Sequence, residues 1–172
     1  MPDVARHRMS QPLRRLLAFA AFCAMWKLVF FFAPESAVLA QFCRVPAEVA
    51  AFYYGVPLDV GTLTFTARGV TLAVTRACAA TDFYVLVASV FLTARIMREG
   101  VGVANRLRDL LDLLLAWVIT LAVNSLRIIA LVPVDAVFPK DHAPIVHLLV
   151  GVAFFLPVFA LIWYQSFKSR QS

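Results

Sequence analysis

Four apolar runs, at residues 16–33, 79–96, 110–132 and 145–164, constrain this chain more than any other feature. Each is close to the roughly 20 residues that a helix rising about 1.5 Å per residue needs to cross about 30 Å of hydrocarbon. With 62% hydrophobic and 15% charged residues, a chain of 172 residues has too little polar surface to coat a soluble core. The sequence therefore predicts an all-α polytopic membrane protein, a single membrane domain over 1–172 with about four transmembrane helices.

The first run follows Arg6, Arg8, Arg14 and Arg15, contains Lys27, and passes into Ala33-Pro34-Glu35 without a small-residue cleavage site. It reads as a retained signal-anchor helix, with Lys27 snorkelling outward. Ten of the 16 basic residues fall in the N-terminal segment, in the loop from Arg95 to Arg108 and in the tail at Lys168 and Arg170. The loop around 135–143 holds only Lys140. By the positive-inside rule, 1–15 is a basic cytoplasmic N-terminus and both termini lie inside, as expected for a multi-pass protein of the cell inner (cytoplasmic) membrane. The same placement accounts for the net charge of +6 without a nucleic-acid partner, because the basic residues form no stripe interleaved with exposed aromatics.

Residues 34–78 are then extracytoplasmic and too long for a plain loop. Within 36–54 the residues Phe42, Val45, Val49 and Phe52 recur at helical spacing, which suits either a helix in the membrane interface or one packed on the bundle. Residues 62–66 and 70–74 alternate with period two around Ala67-Arg68-Gly69, predicting a β-hairpin with Gly69 in the left-handed conformation. The hairpin ends just before Cys78, at the mouth of the helices over 79–164.

Three polar residues near the outer face, each on a different apolar run, are candidates for catalysis: the thiol of Cys78, the guanidinium of Arg127 and the imidazole of His147. An arginine inside a spanning helix is costly unless it faces protein or water, although an interfacial arginine reaching lipid phosphate is the bland alternative. Asn124 stands one turn from Arg127 on the same face. Asp82, four residues after Cys78, is expected on the same helical face and at the depth of Arg127, where a structural ion pair between the two is favoured over direct catalysis. His147 opens the last run, with Gly151 one turn on to permit close helix approach. His142 is a weaker competitor in a Pro-bounded loop. Three cysteines leave at least one thiol unpaired: Cys23 reads as a buried small hydrophobe, and a Cys43–Cys78 disulfide is the rival to a free nucleophile. Two histidines and a cysteine at these spacings form no zinc motif, so neither a metal nor a cofactor is expected.

These residues resemble the exosortase/archaeosortase family of polytopic membrane thiol enzymes, and in compactness its exosortase K-like branch. The family pattern is a Cys near a helix start, Asn-x-x-Arg in a later helix and a His opening the next. Here that pattern is matched by Cys78, by Asn124 with Arg127, and by His147 followed by Gly151 and Phe155. The match covers about 62–159. The family often has Cys-Ser-Gly or Cys-Ala-Gly, whereas this chain reads Cys78-Ala79-Ala80. The resemblance implies a cysteine peptidase or transpeptidase that processes C-terminal sorting signals of membrane-anchored exported proteins through a Cys thioester, with Cys78, Arg127 and His147 catalytic and Asn124 and Asp82 supporting. The alternative from another class is a non-catalytic membrane module, a transport or assembly subunit, in which these residues are a structural polar cluster.

The topology is open to direct measurement. Reporter cysteines placed beside Cys78 and His147 should react with an impermeant maleimide in intact cells, and reporters in the loop from Arg95 to Arg108 should not; labelling of that loop refutes the orientation.

Overall fold

The computed structural model describes residues 11–99, 106–138 and 143–168. Among these residues six α-helices and one hairpin follow in chain order: α1 (Gln11–Phe32), α2 (Glu35–Phe42), α3 (Arg44–Tyr54), β1 (Thr64–Ala67), β2 (Val70–Ala73), a 3-10 turn (Arg76–Cys78), α4 (Thr81–Glu99), α5 (Arg106–Val137) and α6 (Ala143–Lys168). The fold is mostly helical, with a two-stranded antiparallel sheet between α3 and α4.

Among the described residues two helices are long and apolar enough to cross a membrane, Leu107–Val137 and Ile145–Lys168. A third span is present if Leu16–Phe32 and Glu35–Phe42, bent by 115°, act as one. The expectation of four spans is thus met only in its coarser part. The bend falls at Pro34, which has no N–H to continue α1 and whose carbonyl starts α2 by accepting from Ala37 and Val38. The remaining expected span, α4, carries Asp82, Arg95, Arg98 and Glu99 in its 19 residues.

Helix α4 is less apolar because it faces protein. Helices α1, α5 and α6 all pack on it, and Val85, Val87, Ala88, Ser89, Val90, Thr93 and Ala94 are buried. A helix enclosed by others gains more from small side chains that allow close approach than from maximal hydropathy. Its far end is tied to α5 by Arg95, which pairs with Asp109 and, at 2.7 Å, with Asp112. At the other end Trp26 and Phe30 of α1, Phe42 of α2 and Tyr84 of α4 form a cluster of rings with centroids 5.4–6.3 Å apart, edge-on except for Trp26 and Phe30.

The segment expected over 36–54 is two helices broken at Cys43. Helix α3 packs on α5 through Pro46, Ala47, Ala50 and Ala51. Val45, Val49 and Phe52 point outward on its other face. It ends at Gly55, whose φ of 65° lets Val56 N–H reach back to Ala51 O at 3.0 Å. The hairpin forms as expected, with Ala67 opposite Val70 and a two-residue turn at Arg68 and Gly69, both at positive φ (51° and 78°), as a type I′ turn requires. Arg68 lies over the Tyr54 ring at 5.6 Å, so the turn sits on α3.

Helix α5 continues through Pro133 to Val137, a turn beyond the expected end. Proline supplies no N–H to the carbonyl four residues back, that of Ile129. The Tyr54 hydroxyl donates to Ile129 O at 2.7 Å and replaces the missing bond. Tyr54→Phe should therefore leave a carbonyl without a donor and lower stability by about 1–3 kcal/mol. Thermal unfolding in detergent checks this, and an unchanged midpoint would mean that Pro133 is accommodated otherwise.

Candidate functional site

Cys78, expected at the mouth of a helix from 79, ends the 3-10 turn that precedes α4. The link to α4 is Ala79 and Ala80, and Ala80 has φ 50°, a left-handed conformation that costs a non-glycine residue about 1–2 kcal/mol. This break removes the expected sharing of a helical face by Cys78 and Asp82. The thiol-bearing residue is 6% exposed. Its N–H donates to Thr75 O at 2.8 Å, and the Cys43 thiol donates to the same carbonyl at 3.4 Å. Cys43, Cys78 and Cys23 are all free thiols here. Burial, with a smaller contribution from Cys78, pushes the Cys43 thiol up to about 12, so Cys43 stays protonated at neutral pH and is a poor nucleophile.

Asn124, fully buried on α5, holds the Cys78 backbone from below. Its Nδ2 donates to Cys78 O at 2.7 Å and to Phe42 O at 3.4 Å, joining the 3-10 turn to the end of α2. Its Oδ1 has no partner. Three residues on, Arg127 is only 8% exposed and its Nε is likewise without a partner. Gly151 of α6 packs on the guanidinium: a Cβ there would stand 3.4 Å from Arg127 Nε, in van der Waals contact. Arg127 also lies 5.6 Å over the Phe155 ring, which stacks on Phe83 at 4.6 Å.

The expected Asp82–Arg127 pair is not formed. Asp82 pairs instead with Lys27 of α1, and Lys27 does not snorkel away. The reason is the packing of α1 on α4, which puts the first turn of α4 against Lys27 while Arg127 is turned toward α6.

Arg127, His147, Asp82, Arg76 and Gly151 line one cavity of about 470 Å³ between α4 and α6, walled by Phe83, Leu86, Phe155, Leu156 and Phe159. Ala80 and Thr81 line it and Cys78 does not, so the thiol lies behind its wall. The structure thus brings Arg127 and His147 to one groove and leaves Cys78 outside its lining, its carbonyl bonded to Asn124 one turn before Arg127. His147 sits in the second turn of α6 with Nε2 at 2.9 and 3.0 Å from the oxygens of Asp135. Sequence reasoning missed Asp135 because it ended the helix at Pro133. It also missed Arg76, whose Nη2 donates to Phe30 O at 2.9 Å in the last turn of α1. His142 lies outside the described residues. Among those residues no three His, Cys, Asp or Glu side chains stand together as a metal site.

No protein-family model, curated protein or solved structure matches the chain.

The strained link gives a sharp test. Ala80→Gly should be neutral or stabilise by up to about 1 kcal/mol, because glycine adopts positive φ freely. Ala79→Gly, at an ordinary φ of −69°, should cost about 0.5–1 kcal/mol. Equal losses in both, read from thermal unfolding, would rule out the left-handed conformation at Ala80.

Proposed function

We propose that the protein is a membrane-embedded cysteine peptidase or transpeptidase, acting on C-terminal sorting signals of exported proteins through a thioester at Cys78. The observation that carries this reading is Arg127: a buried guanidinium with an unpaired Nε, in one groove with His147, and one helical turn from the asparagine that grips the Cys78 carbonyl. A buried donor with no acceptor suits a charge that develops only during reaction. The link to the exosortase/archaeosortase family gains support from Ala80, which stands where the family motif carries glycine and takes the left-handed conformation that glycine favours.

In this mechanism the Cys78 sulfur attacks the scissile carbonyl carbon as its proton passes to His147, and Arg127 stabilises the oxyanion. Collapse breaks the carbon–nitrogen bond, His147 returns the proton to the leaving amine, and the acyl group remains on sulfur. Water or an acceptor amine then displaces the thiol. This mechanism requires the thiol, which is not part of the groove lining, to enter it past Ala80, the left-handed residue that lines the groove beside it. The apolar walls from α4 and α6 suit the membrane helix of an anchored substrate. With four spans, both termini inside and 34–78 outside, the reaction takes place on the extracytoplasmic face.

Cys78→Ala should abolish processing of a tagged substrate at normal protein abundance, Cys78→Ser should lose most of it, and Cys23→Ala and Cys43→Ala should be near neutral. With acceptor limiting, an enzyme–substrate adduct cleavable by hydroxylamine should accumulate. Normal processing by Cys78→Ala would eliminate the enzyme and favour a non-catalytic membrane module.

A further inference from the structure

A histidine that accepts a proton from a thiol must present an unprotonated nitrogen, and the two ring nitrogens are not equivalent. In this protein one of them is already committed. Nε2 of His147 lies 2.9 and 3.0 Å from the two carboxylate oxygens of Asp135, and the side chains are 29% and 19% exposed. An ionised carboxylate only accepts, so Nε2 must carry the hydrogen. We infer that Asp135 is a positioning residue that locks His147 in its Nε2–H tautomer, which makes Nδ1 the nitrogen that takes and returns the proton. The inference rests on the acyl-transfer reading above and adds to it a fifth residue, outside the Cys, Asn, Arg and His pattern.

The backbone explains how Asp135 comes to hold this position. It lies two residues beyond Pro133, in the extra turn of α5 that Tyr54 keeps helical by donating to Ile129 O. Arg127 against Gly151 and Asp135 against His147 are two successive contacts along the same α5–α6 interface. The charged groups lining the groove with His147 are Arg127 and Arg76, and Asp82, which Lys27 engages. Once Nδ1 is protonated the ring is a cation among two guanidinium groups, and Asp135 is the carboxylate in contact with it. Asp135 only accepts from Nε2 and the Nε2 hydrogen does not move, so the only proton transferred is the one shuttled between sulfur and Nδ1.

The test uses the full-length protein in lipid nanodiscs, labelled with 15N-histidine, with the His147 signals assigned by their loss in His147→Gln. The neutral ring of the unsubstituted protein should show the Nε2–H pattern. Asp135→Asn keeps the shape but offers an amide N–H to Nε2, and should shift the ring toward the Nδ1–H form. Cys78-dependent processing of a tagged substrate should then fall by on the order of a hundredfold to ten-thousandfold at unchanged abundance. Asp135→Glu should restore the Nε2–H pattern and part of the rate, which separates positioning from a folding defect. An Nδ1–H ring in the unsubstituted protein, or Asp135→Asn at full rate while Cys78→Ala is inactive, overturns the role of Asp135 alone. Normal processing by Cys78→Ala overturns the acyl-transfer reading and this role with it.

Discussion

One side-chain amide, that of Asn124, organises the end of this protein at which α2, the hairpin exit and α5 meet. Its Nδ2 reaches the carbonyls of Phe42 and Cys78, two groups that end short helical elements and have no further turn of their own to bond. In a water-poor interior each of those carbonyls would cost about 1–3 kcal/mol if left alone. The amide therefore fixes where the bent α1–α2 unit, the hairpin exit and α5 meet. Because Arg127 follows one turn later on α5, the same contact sets the position of the Cys78 backbone relative to the groove.

Around that point the charges are sorted by what each can reach. Arg95 is paired with two aspartates at the far end of α4 and α5, and Lys27 with Asp82 where α1 meets α4. These pairs join helices and leave little for a ligand. Arg127 differs in being buried with its Nε unused and with a glycine and an aromatic ring as its packing neighbours. Burying such a group is costly, which sets Arg127 apart from the other cations of the bundle.

Two prolines and one alanine show when local rules hold and when neighbours override them. Pro34 breaks its helix, as an unassisted proline should, and turns the chain by 115°. Pro133 does not, because a tyrosine hydroxyl from α3 substitutes for the missing donor. Ala80 adopts a positive φ that its own side chain disfavours, held between the 3-10 turn and α4.

Much of the architecture was legible in residue order alone. Hydrophobic runs of membrane length, the basic residues at their ends, and the period-two alternation around Arg68-Gly69 each reflect local physics, and the hairpin and the apolar helices followed from them. Asn124, Arg127 and His147 were likewise legible as polar groups that are costly to place in an apolar run, and Cys78 as a thiol at the mouth of one. Which of them meet could not be read this way, because helix packing pairs residues by rotation and depth and not by spacing in the chain. Asp82 went to Lys27 because α1 lies beside it, α4 proved a protein-facing helix of mixed polarity, and Asp135 reached His147 only because Tyr54, 75 residues before Ile129, keeps α5 intact past Pro133. Sequence determined which groups needed partners; the tertiary structure chose the partners, since only packing brings distant donors and acceptors within about 3 Å.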